Sequence, residues 1–278
     1  MLNLLSCFFQ IVFLTCLLPL VFGLAVWGCR QLFCLFVGDD SGRPLQIAFS
    51  ALSTPLREVG HMITAIIGLH RIEDMCLLNL HDMDGEFGYV EHSYNPRNPV
   101  AVLGNLLYAL GPVMIGLFAV LVICLSCFRG AWLPFLEQVT LLGEGGAGFL
   151  DYARTALSFV PSIFAGAGIN LFAKILGGAL LATLCLGIHI TPGEIMDAVS
   201  GFLIYLILAF LGAGVLILFD ERVVRNAMAG LHTFATSVVA LFLVVLVFAA
   251  GIVLLGFVFG IIRTLFNIDH VYVDEEES

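Results

Sequence analysis

Long uninterrupted apolar runs constrain this chain more than any other feature of its sequence. A helix needs roughly 20 residues to cross a hydrocarbon core of about 30 Å, so each run of that length is a candidate membrane span. Six runs qualify, near residues 4–28, 46–70, 99–127, 157–188, 200–219 and 232–262. They are rich in Leu, Phe, Ala and Gly and do not alternate with polar residues, which favours a helical bundle over a barrel. The sequence therefore predicts an all-α polytopic membrane protein.

The composition supports that prediction and narrows the expected partners. Of the 278 residues, 60% are hydrophobic and 12% are charged, which is far from the balance of a soluble domain. The formal net charge of −10 comes mostly from residues 73–91 and from the acidic tail 264–278. We therefore expect the lipid bilayer as a partner and not nucleic acid. The first run lacks a basic segment and is too long for a signal peptide, so we expect a retained helix in a single membrane domain, 1–278.

A polar insert, residues 71–98, separates the second and third apolar runs. After the turn-like segment 82–85, the alternation in residues 86–92 predicts a short β-hairpin against the membrane face. The helix that follows carries Gly111 and Pro112 in its middle. A proline at such a position frees a backbone carbonyl, which a neighbouring helix or a cavity must then satisfy.

The segment from Arg57 to His61, Arg-Glu-Val-Gly-His, carries the chemistry of the chain. Two histidines at i and i+4, with a glutamate after the first, form a zinc site because the spacing puts both imidazoles on one helix face. Here the first histidine position holds Arg57. The ionisable side chains of this segment can face one cavity, and such groups at membrane depth indicate function. Alternatively, Pro55 begins the span, and Arg57 and Glu58 extend to water at the interface.

Three short segments, taken in order, resemble the core of the site-2-protease-like membrane metallopeptidases, in particular their small bacterial branch. They are residues 57–61, the insert segment 88–96 (Gly-Tyr-Val-Glu-His-Ser-Tyr-Asn-Pro) and residues 104–112, which end in a Gly-Pro element. The resemblance covers roughly residues 46–120. It implies a bacterial inner-membrane protein that engages another membrane protein or a transmembrane peptide.

The resemblance also implies roles for individual residues. Glu58 matches the general base that activates a zinc-bound water, and His61 matches the second histidine ligand. His92 matches the conspicuous histidine of the insert and is expected to be a ligand or a substrate contact. Gly111 and Pro112 match the structural element of the following helix.

Arg57 departs from the family pattern at the position of the first ligand. A guanidinium group stays charged in proteins and has no lone pair to offer, so it cannot replace an imidazole on zinc. A zinc site with one histidine from this helix would need further ligands; the candidates are Glu58, His92, Asp269 and His270.

The later aspartate ligand of the long-chain family members has no counterpart in this sequence. The nearest polar pair in a later apolar run is Asn170 with Lys174, one helical turn apart. A second fixed cation near the site would further disfavour zinc. Lys174 could instead pair with Glu58 and replace the metal by a salt bridge, or it could reach an interface.

Two remaining patterns are more typical of structure than of catalysis. Residues 191–194, Thr-Pro-Gly-Glu, have the spacing of a capping box and predict the start of a helix. The other histidines fall near predicted helix ends or in polar loops and are expected to be solvated; they are His70, His81, His189 and His232.

Three functions remain open from the sequence. The first is a pseudoprotease, a site-2-protease-like core that is degenerate at its metal site and acts as a binding or complex subunit. The second is an active intramembrane zinc metalloprotease with an altered ligand set, in which Glu58 activates water. The third is a small transporter or channel component, with Arg57, Glu58 and Lys174 lining a polar path.

Overall fold

A computed structural model describes residues 4–38, 42–79, 87–165 and 170–266. In this part of the chain, the structure contains ten α-helices, a π-helical segment and one small sheet. The elements in order are α1 (Leu4–Val12), the π-helical segment (Phe13–Leu17), α2 (Leu18–Val37), α3 (Arg43–Ser50), α4 (Ser53–Ile67), β1 (Arg71–Cys76), β2 (Tyr89–Ser93), α5 (Pro99–Cys127), α6 (Arg129–Gly145), α7 (Phe149–Ala165), α8 (Leu171–Cys185), α9 (Pro192–Leu216) and α10 (Glu221–Leu265).

Four helices in the described ranges are long and apolar enough to cross a membrane. They are the continuous stretch Leu4–Val37 and the helices α5, α9 and α10. The predicted helical class is therefore confirmed, and these helices are compatible with an integral membrane protein. The count of six spans stays a prediction.

The predicted second span, 46–70, is divided between α3 and α4. Pro55 has no N–H to offer Ala51, and its ring clashes with the carbonyl one turn back, which disfavours a continuous helix through this point. It can lie in the first turn of a new helix, and α4 accordingly begins at Ser53. The helix ends at Ile67, and the chain enters β1 at Arg71.

The predicted fourth span, 157–188, is also divided. Its first part belongs to α7, which ends at Ala165, and its second part forms α8. Asn170 is the N-cap of α8, because its side chain accepts a hydrogen bond from the N–H of Phe172. A capping residue at this position starts a new helix, so α7 and α8 are separate helices.

The core is built around α5, which packs against α4, α8 and α9. Beside α4, the strands β1 and β2 pair antiparallel, with Arg71 opposite Ser93 and Cys76 opposite Tyr89. The predicted hairpin is therefore present as a two-stranded sheet, while its turn lies outside the described residues. The sheet and three helices, α4, α5 and α9, together position the candidate site.

Candidate functional site

Helices α4 and α5 approach each other closely at glycine positions. A Cβ atom on Gly60 would lie 2.9 Å from the carbonyl oxygen of Gly111 and 2.9 Å from the Cα of Pro112. A side chain on Gly111 would in turn meet Thr64. Only glycine permits this backbone contact, which brings the segment 57–61 against the middle of α5.

Pro112 supplies a hydrogen-bond acceptor for His61. In an α-helix the carbonyl of residue 108 accepts the N–H of residue 112, and proline has none. The freed carbonyl oxygen of Tyr108 lies 3.1 Å from Nδ1 of His61. The carbonyl that the sequence predicts Pro112 to free thus has a specific partner, the imidazole of His61.

Glu194 reaches the same imidazole from the first turn of α9. The capping box is complete, because the Thr191 hydroxyl accepts from the N–H of Glu194 at 3.2 Å and Oε2 of Glu194 accepts from the N–H of Thr191 at 2.6 Å. This arrangement holds the carboxylate in one orientation. Its other oxygen, Oε1, lies 2.9 Å from Nε2 of His61.

Arg57 joins two carboxylates of the site, the buried one of Glu58 and the partly buried one of Glu194. Its Nη1 donates to Oε1 of Glu58 at 2.7 Å, and its Nη2 donates to Oε1 of Glu194. Glu58 is only 1% exposed. The planar guanidinium suits such a bridge because its donors diverge in fixed directions. The charge pair for Glu58 is thus its sequence neighbour Arg57, where the sequence suggested Lys174.

His61 completes a group of four charged side chains that we term the Arg57 quartet: Arg57, Glu58, His61 and Glu194. Both ring nitrogens of His61 face oxygen acceptors, a carbonyl and a carboxylate. Only an imidazolium, which donates from both nitrogens, satisfies the two. A protonated His61 would give the quartet two cations and two anions. Neutrality of this kind is what a buried ionic cluster requires.

The quartet as folded does not fit zinc. A zinc ligand must offer a lone pair, whereas the His61 nitrogens both face acceptors and Arg57 has none to offer. Catalytic zinc sites use three protein ligands and an open position. Across the described ranges, no group of three His, Cys, Asp or Glu side chains could hold a metal ion. The guanidinium of Arg57 instead contacts both carboxylates of the quartet.

His92 lies near the quartet but is separated from it by an aromatic ring. The Tyr108 ring is 4.2 Å from that of His61 and 4.1 Å from that of His92, measured between centroids. The Tyr108 hydroxyl donates to the carbonyl of Val90 at 3.0 Å, which ties β2 to α5. Burial, with the nearby imidazoles of His70 and His61, lowers the pKa of His92. A neutral His92 on the cavity wall fits a ligand contact.

Two histidines expected to be solvated are in fact buried. His70 is 7% exposed and His189 is 2% exposed. His70 lies where the chain turns against α5, and His189 lies in the turn that packs against α2; each has a carbonyl as its partner. Nε2 of His70 lies 2.8 Å from the carbonyl of Ala101, and Nδ1 of His189 lies 2.8 Å from that of Leu186. Burial, followed by the charges of Arg57 and Arg30, lowers the pKa of His189. His81 lies outside the described residues, and His232 is exposed.

A cavity of about 550 Å³ opens beside the quartet. Its wall is formed by residues of α2, α3, α4, β1, β2, α5 and α9, together with the segment before β2 and the turn before α9. Every member of the quartet lines it, as do His92, Tyr108 and His189. The sheet of the insert, α5 with Pro112 and α4 with His61 thus border one polar cavity.

The other sequence candidates lie elsewhere. Lys174 is in α8, where its ammonium donates to the carbonyl of Phe164 at 3.1 Å, and it is not among the residues that line the cavity. This placement weighs against a shared polar path with Arg57 and Glu58. Asp269 and His270 lie outside the described residues, so their candidacy as ligands stays a prediction.

Sequence reasoning missed two residues of the site, Glu194 and Tyr108. The signal for Glu194 was present in the capping box, where a glutamate uses one oxygen for the cap and leaves the other free. The signal for the Tyr108 carbonyl was Pro112, four residues later. In both cases the local role was visible, and the distant partner was not.

Comparisons of the chain with protein families, with curated proteins and with solved structures gave no match.

Proposed function

We propose that this chain is a pseudoprotease of the inner bacterial membrane: a non-catalytic binding or complex subunit with six spans and a site-2-protease-like core. The observation that carries the proposal is the contact of one guanidinium, that of Arg57, with both Glu58 and Glu194. It supports a site in which the positive charge of Arg57, and not a divalent metal, offsets the charge of the two carboxylates. The proposed site-2-protease-like family rests on the motif resemblance alone.

The contacts of Glu58 also argue against a role as general base. A base must reach a water to accept its proton, and Oε1 of Glu58 is instead bound by Nη1 of Arg57 at 2.7 Å. Arg57 is not a Lewis acid, because a guanidinium group has no empty orbital. Arg57 therefore cannot activate water as a metal would, and one oxygen of Glu58 is already bound to it.

The polar space remains even though the quartet does not fit a metal. The cavity of about 550 Å³ is of the size that accepts a side chain or a small ligand. The strand β2 forms part of its wall, so a transmembrane or extended peptide from another membrane protein could lie there. Retention of a shaped, charged cavity favours recognition as the function of the protein.

Metal analysis of the purified full-length protein tests this proposal. The protein is prepared in detergent without chelators and its zinc is measured by mass spectrometry, for the wild type and for His61→Ala. We expect far less than one zinc per chain in both. Stoichiometric zinc in the wild type that disappears in His61→Ala would overturn the pseudoprotease and establish the altered metalloprotease in its place.

A further inference from the structure

A second cavity, of about 480 Å³, lies against the helical stretch Leu4–Val37 and shares no lining residue with the cavity beside the quartet. Its polar lining residues are Gln10 and His232. The remaining lining residues are all apolar: Phe9, Val12, Phe13, Leu14 and Leu17. We term this cavity the α1 groove. A ligand that fills it must be mostly apolar and must carry a group that matches the two polar side chains.

The π-helical segment forms much of the groove. Phe13, Leu14 and Leu17 belong to that segment and line the cavity, and short π-helical turns inside α-helices are frequent at functional sites. From Phe9 to Leu17 the groove follows the helix for roughly 12 Å. A smaller cavity of about 130 Å³, lined also by residues of α6 and α7, shares Phe13, Leu14 and His232 with the groove. The apolar space therefore extends from the helix surface toward α6 and α7.

The surroundings of the groove indicate what fills it. Both of its walls, the stretch Leu4–Val37 and α10, are long and apolar enough to cross a membrane. In a bilayer the surfaces of such helices face acyl chains. The side chains of Phe9 and Phe13 are 63% and 51% exposed in the described fold, which leaves both rings open to lipid. The bilayer therefore supplies an acyl chain as the apolar ligand.

The two polar residues of the groove lie at the depth of lipid ester groups. The 34 residues of Leu4–Val37 span roughly 50 Å as a helix, about 20 Å more than a hydrocarbon core of about 30 Å. A stretch centred in the bilayer extends roughly 10 Å beyond the core at each end, and Gln10 is roughly 9 Å from Leu4 along the axis. His232 is likewise near the boundary, because the 45 residues of α10 extend further and His232 is roughly 16 Å from Glu221. Ester carbonyls join the acyl chains to glycerol at this boundary.

Gln10 offers a hydrogen-bond donor at this depth. Nε2 of His232 donates to Oε1 of Gln10 at 3.2 Å, and Nε2 of Gln10 donates one N–H to the Ser6 hydroxyl at 3.2 Å. A primary amide carries two N–H groups, and the second one of Gln10 meets no acceptor among the residues that the structure describes. An N–H without an acceptor is costly in a membrane. A ligand with a carbonyl oxygen removes that cost.

We propose that the α1 groove binds a diacyl phospholipid, with one acyl chain along Phe9, Phe13 and Leu17 and the ester carbonyl of that chain accepting from Gln10. His232 holds the amide in the orientation that donates. A partner transmembrane helix fits less well, because its backbone carbonyls are already used within the helix. The groove and the quartet share no residue, so the zinc content of the protein does not bear on this inference.

Photo-crosslinking with a matched pair of lipids tests the inference. The full-length protein is placed in nanodiscs of diether phosphatidylcholine with a trace of photoactivatable phosphatidylcholine, which carries a diazirine in one acyl chain and is either the diester or the diether. Mass spectrometry maps the labelled residues. We expect the diester probe to label residues 9–18 and 232–239 about two- to tenfold more than the diether probe, since the two differ by one hydrogen bond to Gln10.

The exposed face of α9 provides an internal control. Leu203, Ile207 and Leu211 are each more than half exposed and contact bulk lipid in the same sample. Both probes should label these residues equally. Labelling of the groove is therefore measured relative to this face, which corrects for the amount of each probe in the nanodisc.

Substitution of Gln10 locates the donor. Gln10→Leu keeps a side chain of similar size and removes the amide, so the preference of the groove for the diester should disappear. The matched control Gln31→Leu, at an exposed glutamine of the same helical stretch, should keep the preference. Thermal unfolding verifies that both variants are folded, and the comparison of the two probes on the wild type needs no variant.

Three outcomes would overturn the inference. The first is equal labelling of the groove by the two probes, and the second is a full diester preference in Gln10→Leu. The third is weaker labelling of the groove than of the α9 face by both probes, which would show that protein, a second copy or a partner helix, covers the groove.

Discussion

The imidazole of His61 occupies the hydrogen-bonding position that Pro112 leaves open in its own helix. Nδ1 of His61 lies 3.1 Å from the carbonyl oxygen of Tyr108, which would otherwise accept from residue 112. The other ring nitrogen faces Glu194 at 2.9 Å. The carbonyl that Pro112 frees in α5 and the capping glutamate of α9 thus contact opposite ring nitrogens of His61. His61 is in this way fixed within the ionic quartet.

Removal of the guanidinium should destabilise the fold. Arg57→Met would leave Glu58 and Glu194 buried with only His61 as a cation, and breaking a buried pair from one side costs about 3–5 kcal/mol. Thermal unfolding in detergent measures the change. The control Arg154→Met alters an exposed arginine and should have little effect. An Arg57→Met protein as stable as the wild type would show that the quartet is not a stabilising unit.

Introduction of a histidine at residue 57 should create a metal site. In Arg57→His, residue 57 would face Glu58 and Glu194 as an imidazole, beside His61. Two histidines and a carboxylate are a ligand set of catalytic zinc. We expect about one zinc per chain by mass spectrometry, lost again in Arg57→His/His61→Ala. If the first variant gains no zinc, the scaffold has diverged at more positions than residue 57.

The charge of Glu194 should matter more than its cap. Glu194→Gln keeps a capping-box residue but leaves Arg57 and His61 with one carboxylate, so we expect a loss of about 3 kcal/mol or more. Thr191→Ala removes the cap hydroxyl and should cost about 1 kcal/mol. Comparison of the two unfolding midpoints separates the roles. Equal losses would assign Glu194 to the cap alone.

The contact of α4 with α5 should not tolerate a methyl group. Gly60→Ala would put its Cβ 2.9 Å from backbone atoms of Gly111 and Pro112, and overpacking costs about 1–3 kcal/mol. In Gly178→Ala, whose Cβ meets nothing within 4 Å, helix propensity should leave stability unchanged or raise it by up to about 1 kcal/mol. Unfolding temperatures in the same detergent compare the pair.

Stability should fall in acid partly through His92. Burial and the imidazoles of His70 and His61 lower its pKa below the ordinary 6.5, and Asp197 opposes them. The folded chain therefore binds this proton less readily than the unfolded chain. Its contribution is complete above pH 6.5 and is lost as the pH falls through the folded pKa.

The variant His92→Phe keeps a ring in the stack and removes the proton. We expect a smaller loss of unfolding free energy between neutral and mildly acidic pH than in the wild type. His232→Phe, at an exposed histidine, should keep the full pH dependence. The same slope in His92→Phe and wild type would exclude His92 as a contributor.

Features with a local cause could be predicted well. The apolar runs predict membrane-length helices, the alternation before His92 predicts a strand, and the residues from Thr191 to Glu194 predict a helix start. Breaks inside a run were harder. The second run is divided just before Pro55, which lies in the first turn of α4, where a proline is tolerated. Hydropathy averaged over 20 residues does not register such a residue.

The ion-pair partner of Glu58 could not be predicted in the same way. Lys174 and Arg57 are equally cationic in the sequence, and either could neutralise Glu58. The observed partner is Arg57, while Lys174 donates to a carbonyl in α7 and α8 packs elsewhere on α5. His70 and His189 were assigned to solvent because burial depends on what packs over a turn, which no local pattern encodes.

The sequence alone determined the helical, membrane-compatible character of the chain and the presence at residue 57 of a side chain that cannot bind zinc, because hydropathy and lone pairs are properties of residues. Only the tertiary structure decided which groups Arg57 contacts. Glu194 is 137 residues from Arg57 in the chain, and their contact requires α4 and α9 to pack on the same side of α5. Packing of that kind depends on glycine contacts and freed carbonyls in three dimensions, so the quartet becomes visible only in the fold.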